Sequence, residues 1–177
     1  SYHILPSPHY LIKDSKILKE NNKTATFASI KILKVFISQK NFFDKSKLSL
    51  DHIKINNADF MLAANDLKLL KNKIKYKASN KKVEIEKSNI FLKNNLDEII
   101  SIIKISKGLL FHDEDNLFNF FEFKGKIFNI PFNFYHKNNF DNLNSKETSM
   151  IVKKLKLDIL NIHNIEKKNS NKGKNII

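Results

Sequence analysis

The sequence predicts a mainly β chain, roughly eight or nine strands at antiparallel-sheet spacing with one or two short helices. Large apolar side chains recur on alternate positions through most of the chain, the period of a strand with one covered face. Asn-rich stretches, suited to turns, separate these segments. Strands and helical patterns do not alternate, so no βαβ rhythm is expected.

SYHILPSP (1–8) is an entry segment whose prolines favour extended backbone. HYLIKDSKIL follows as a short strand, and ENNK (20–23) as a turn. In TATFASIKILKVFIS the apolar phase runs through Ala28, Ile30 and Ile32, then slips to Leu33, Val35 and Ile37. One slip of that kind marks a bulge or a strand apolar on both faces. QKNFFDKS is a connector carrying Phe42 and Phe43. KLSLDHIKINNADFML then alternates as Leu48 and Leu50, Ile53 and Ile55, Phe60 and Leu62, with a bulge expected at Asp51–His52 and a bend at Asn56–Asn57.

Asn65 caps an expected short helix over 66–74, with Leu67, Leu70 and Ile74 on one face and Asp66 in the first turn. KKVEIEKSNIFLKNN returns to strand, in one phase at Val83 and Ile85 and, after a Ser-Asn interruption, in another at Ile90 and Leu92. LDEIISIIKIS has helical spacing at Leu96, Ile99, Ile100 and Ile103, but its density of β-branched Ile favours a strand. A turn is expected at Asp113–Asn116. LFNFFEFKGKIFNIPFNFYHKNN reads as two strands joined at 124–126 by Gly125, with Phe128, Ile130, Phe132 and Phe134 on one face. Pro131 has no N–H for a ladder and belongs at an edge or bulge. After a loop at NNFDNLNSKE, MIVKKLKLDILNI closes the sheet, with Leu155, Leu157 and Ile159 alternating. Residues 1–165 are thus expected to form one domain, and 166–177 a polar, disordered tail.

The length of 177 residues suits a single domain, and a start at Ser rather than Met is that of a fragment or processed chain. A hydrophobic fraction of 41% is enough for a core. No run reaches the roughly eighteen apolar residues of a spanning helix, and no leader pattern opens the chain. The formal net charge of +14 suggests nucleic acid, but every basic residue is Lys. Arg, which forks onto phosphates and guanine edges, is absent. Excess Lys, Asn, Ile and Phe is the imprint of an AT-rich genome, and most lysines are read as solvated strand faces. Attraction to anionic lipid headgroups is worth about 1 kcal/mol per Lys close to such a surface. Absence of Cys excludes disulfides, thiolate metal sites and a Cys nucleophile.

No catalytic constellation stands out, and no cofactor or metal is expected. His112, Asp113, Glu114 and Asp115 in FHDEDN are the densest set of potential ligands, but the spacing matches neither an EF-hand loop nor a zinc site. An acidic turn explains them better. Glu84 with Glu86, and Asp97 with Glu98, sit among strand residues. The six His are scattered, and three Gly cannot build a phosphate-cradling loop. Of 15 Phe, seven (118, 120, 121, 123, 128, 132 and 134) fall in one hairpin, where they are expected to form the apolar face of the sheet. The alternative is stacking of RNA bases, although no RNA-recognition signature accompanies them.

TATFASIKILKVFISQKNFFDKSKLSLDHIKINNADFMLAANDLKLLKN resembles the N-terminal region of AsmA-like proteins, with Leu48, Leu50, Ile53, Ile55, Asn57, Ala58, Asp59, Phe60 and Leu62 in the order of the family's strand pair. KVEIEKSNIFLKNNLDEIISIIKI resembles the hairpin that follows it. The resemblance covers about residues 8–105 and departs in its Lys and Asn enrichment and its scarcity of Gly at bends. It implies a bacterial envelope protein held in the inner membrane by an N-terminal helix outside these residues. Such a protein projects into the periplasm as an elongated, curved antiparallel sheet, a half-open trough that conducts phospholipid acyl chains and serves outer-membrane assembly or lipid homeostasis. The expected lining is Ile30 and Ile32; Leu50, Ile53, Ile55, Phe60 and Leu62; Val83 and Ile85; and Ile130, Phe132 and Phe134. The same alternation also suits a structural or interaction domain with a closed two-layer core, or a basic RNA-binding β domain.

Overall fold

The computed structural model describes residues 1–5, 7–19, 22–38, 49–63, 66, 80–140, 145–164 and 175–176. They form one curved, open sheet whose strands lie in sequential order and do not close on themselves. Two-residue strands β1 (Tyr2–His3) and β11 (Asn175–Ile176) flank nine longer ones. These are β2 (His9–Lys19), β3 (Asn22–Ile37), β4 (Leu50–Ala63), β5 (Lys82–Lys93), β6 (Ile99–Asp113), β7 (Phe118–Ile127), β8 (Ile130–Asn139), β9 (Ser145–Val152) and β10 (Leu157–Asn164). The mainly β fold expected from the alternation is therefore the fold observed. The helix expected over 66–74 lies, Asp66 apart, outside the described residues, as do the connector at 39–46 and residues 20–21 of the first turn. Of the expected disordered tail, only 175 and 176 are described; they pair with β10.

The sheet is antiparallel except between β4 and β5, which run parallel with Ile55 beside Ile85. A parallel neighbour needs a return connection of about a dozen residues or more, and 64–81 is the stretch long enough to make it. A single crossover produces no rhythm in the sequence, which is why the pattern hides it.

The apolar phase slips are real, and they are aligned. Asp14 in β2, Asn57 in β4 and Lys87 in β5 have left-handed backbone, with φ of 50°, 55° and 47°. Asp14 lies opposite Lys31, because Lys13 pairs with Ile32 and Ser15 with Ile30. Lys31 in turn lies opposite Asn57, Asn57 beside Lys87, and Lys87 opposite Ser106. Ser106 is the extra residue of a bulge against β7. Each strand from β2 to β6 therefore changes phase on the same transverse line, and the apolar face stays apolar on both sides of it. Asn56–Asn57 is thus a kink inside one 14-residue strand. Ser88 secures the kink: its hydroxyl accepts from the Ala58 N–H at 3.0 Å and donates to the Glu86 carbonyl at 2.7 Å. A second bulge, at Asp51–His52, falls where it was expected, since Val35 pairs with Ile53 but Ile37 with Leu50.

Left-handed backbone costs a side chain with a Cβ about 1–2 kcal/mol. Lys87→Gly is therefore expected to stabilise the fold by about 0.5–1 kcal/mol after glycine's own entropic cost, and Lys87→Val to destabilise it, since a β-branched residue is an outlier there. Urea melts of the pair check this; equal midpoints would contradict the kink.

Two turns differ from expectation. Gly125 lies inside β7, and the hairpin turns instead at Phe128–Asn129, both left-handed with φ of 50° and 61°. The residues are non-glycine, so the turn carried no glycine signal. Phe128 is 74% exposed at its tip, off the apolar face. MIVKKLKLDILNI is likewise a hairpin, β9 and β10 separated by a 3-10 turn at Lys153–Leu155 and a left-handed Lys156. Pro131 occupies β8 beyond the β9 ladder, which starts at Asn133 opposite Ile151, so no N–H is required of it on that side. The strand reading of 99–106 is correct, and β6 continues through Gly108 to Asp113.

Candidate apolar binding face

The aligned kinks decide which side chains share a face. Before the kink Lys54 reaches Glu86 at 2.8 Å and Glu84 at 3.9 Å; after it Asn89 donates to Asp59 at 2.8 Å. These residues mark the polar face. The opposite face carries one apolar cluster whose buried members include Ala28, Ile30, Ile55, Ala58, Ile85, Ile105, Phe132 and Val152. Leu33, Ile53, Phe60, Val83, Ile90, Ile103, Phe123, Ile130, Phe134 and Met150 pack against it, half-buried. Rows of matched register carry it across the sheet: Leu33, Ile55 and Ile85 in one, Ala28, Phe60, Ile90 and Ile103 in another.

Of the expected lining, Ile30, Ile55, Ile85 and Phe132 are in the buried cluster, and Ile53, Phe60, Val83, Ile130 and Phe134 surround it. Leu62 is buried at the far end of β4 beside Leu92, and Leu50 is half-buried opposite Ile37. Ile32 is a correction. It sits in register with Lys13 and Asn56, on the polar side, because the slip falls before it rather than after it. Ala58, Ser88, Ile105 and Gly108 were missed. Their signal was there in principle: a residue three positions after Ile55, Ile85 or Ile105 rejoins the face once a kink is placed between them.

The phenylalanines divide between faces. Phe123 and Phe134 adjoin the apolar cluster, their rings 6.5 Å apart. Phe111, Phe118 and Phe120 instead pack together, with ring centroids of 5.4–6.1 Å from Phe111. The ammonium groups of Lys82 and Lys137 already lie over Phe111 and Phe118 at 5.8 and 4.2 Å.

At one end the apolar face gives way to buried polar groups. His112 Nδ1 lies 2.9 Å from Asn119 Oδ1, and both residues are buried, as is Asn138. His136 Nδ1 lies 2.8 Å from Thr148 Oγ1. Burial, and then the Lys146 ammonium, hold the His136 imidazole below its ordinary value of 6.5. The unfolded chain thus binds a proton that the folded chain resists. Stability is full above about pH 6.5 and falls as pH drops from there through the lowered folded value. His136→Gln should flatten that part of a pH–stability profile; an unchanged slope would remove His136 as its source.

The acidic turn at 113–116 is structural. Asp113 accepts from the Asn116 and Asp115 N–H groups at 2.9 and 3.1 Å. The backbone and side-chain hydrogen bonds from Asn116 hold its carboxyl below the usual range. No group of three or more His, Cys, Asp or Glu among the described residues is placed to hold a metal ion. No helix among the described residues is long and apolar enough to cross a membrane. No protein-family model matches the chain, and no curated protein matches it.

Proposed function

We propose that this chain binds phospholipid by its acyl chains along the apolar face, without catalysis, as part of an AsmA-like envelope protein. One observation carries the reading. The apolar side chains of β3 to β9 make one continuous face on a single open sheet, and no second sheet packs on it among the described residues. The aligned kinks support it further, because they keep that face apolar on both sides of the bend. A bent sheet that spends left-handed residues on continuity suits a ligand longer than one pocket. Covering a tail gains about 25 cal/mol per Å² of apolar surface removed from water. Within the rows of Ile, Leu and Phe the Ser88 hydroxyl is already bonded to Ala58 and Glu86 and does not arrest a tail, so movement is passive. In such a protein the work is outer-membrane assembly or lipid homeostasis, carried out in the bacterial periplasm from an inner-membrane anchor outside these residues.

Native mass spectrometry of the purified chain, with extraction of what co-purifies, tests the reading. Phospholipid in discrete stoichiometry, retained at high salt, is the expected result. A clean unbound mass with a cooperative melt that added lipid does not shift would return the chain to a self-covered structural domain. Retained nucleic acid released by salt would point to RNA instead.

A further inference from the structure

On the polar side the line of kinks opens as a furrow. Asn56 and Asp59 are neighbours on that face but three residues apart, so the rows either side of the kink part. Two open cavities of about 550 and 480 Å³ lie along it and meet at Lys87 and Asn89, which line both. The first runs back to Asp14 and Lys31, and the second on to Lys124 and Asn133.

The furrow is net basic: six lysines line it against Asp14 and Asp59, and of the six Lys124 is paired, with Glu122 at 3.0 Å. Lys16, Lys31, Lys87, Lys104 and Lys126 border it and make no ion pair among the described residues. Elsewhere Lys19, Lys54 and Lys93 are paired, at 2.7, 2.8 and 2.9 Å, with Asp66, Glu86 and Asp97. The lysines also oppose one another: Lys104 stands across from Lys126 and Lys107 from Lys124, one pair on each side of Ser106. Like charges directly opposite destabilise a sheet. Strained backbone and unneutralised charge on one line are features that an occupying anion offsets.

We propose that this furrow docks an extended acidic polypeptide segment. Crossing β2 to β8 at about 4.8 Å per strand, it is roughly 29 Å long, the reach of about nine extended residues. Beside the lysines, the carboxylates of Asp14 and Asp59 and the side-chain amides of Asn57 and Asn133 line it, so the furrow presents acceptors as well as donors. A polypeptide answers both kinds of group, whereas a phosphodiester brings acceptors alone. Single-stranded nucleic acid also relies on aromatic platforms, and the one aromatic residue of the furrow, Phe132, belongs to the buried cluster of the other face. The proposal is independent of lipid binding, which concerns that other face.

Fluorescence anisotropy with a labelled Asp/Glu nonapeptide tests it on the 177-residue chain. Binding is expected, weakened at least tenfold in Lys104→Glu/Lys126→Glu. It should change less than twofold in Lys154→Glu/Lys156→Glu, which alters net charge equally at exposed positions off the furrow. No peptide binding, or equal loss in both variants, overturns the site. Tighter binding of a single-stranded oligonucleotide of equal charge through the same two lysines overturns the class of partner. Far-UV circular dichroism of both variants separates loss of binding from loss of fold.

Discussion

Replacing Gly125 by alanine should cost about 3 kcal/mol or more, at the upper end of what forcing an atom into a packed site costs. A Cβ there would collide with the Lys104 carbonyl oxygen and would sit 3.1 Å from its carbon and 3.2 Å from the Phe132 ring. The first two are backbone of the neighbouring strand, held by the β6–β7 ladder on both sides of the Ser106 bulge. They cannot move without opening it. Gly108 is the internal control, since it lies on the same pair of strands. Its Cβ would meet the Phe123 ring at 2.9 Å and Ile85 Cβ at 3.3 Å, and a half-buried ring can turn aside. Gly108→Ala is expected to cost about 1 kcal/mol, at the low end of the same range. Urea denaturation of both variants reads the difference. Equal costs would mean that β6 and β7 do not approach in this register.

The same glycine shows where the sequence could be read and where it could not. Alternation at Ile53 and Ile55, or at Val83 and Ile85, declared strands because period two is a local property. The phase slips at Ile32–Leu33, at Asn56–Asn57 and at Ser88–Asn89 were visible one at a time. That they fall on one line depends on which residues lie opposite, and pairing is not written within a strand. Ile32 was misassigned for this reason: the slip was seen, but its position within two residues was not. Gly125 looked like a turn because glycine permits one, whereas its role is to let the Lys104 carbonyl approach. Conversely the true turn, at Phe128–Asn129, uses residues that tolerate left-handed backbone less well than glycine and so gave no cue. The parallel pairing of β4 and β5 was out of reach for a related reason, since one crossover in a meander leaves the alternation of every strand unchanged.

Placing aspartate at both Ile55 and Phe132 should abolish phospholipid retention and leave the β signal intact. Each residue is 8% exposed in the apolar cluster, and they stand on β4 and β8, far apart in the strand order. An isolated carboxylate moved out of water is costly unless it is neutralised or hydrated. The outcome therefore depends on what faces the cluster. In a trough whose occupant is lipid, losing the lipid admits water, both carboxylates hydrate, and the strand ladders persist. In a closed core no water can enter, and the two charges would together exceed the roughly 5–15 kcal/mol that holds a domain folded. Ile53→Asp/Phe134→Asp places the same charges at half-buried positions beside the cluster, where hydration is easier in either case. Circular dichroism and native mass spectrometry on both variants then separate the possibilities. Strand signal kept with lipid lost in both supports an open acyl-chain surface. Unfolding of the inner variant alone supports a covered core, and lipid still bound to a folded inner variant would end the case for this face as its site.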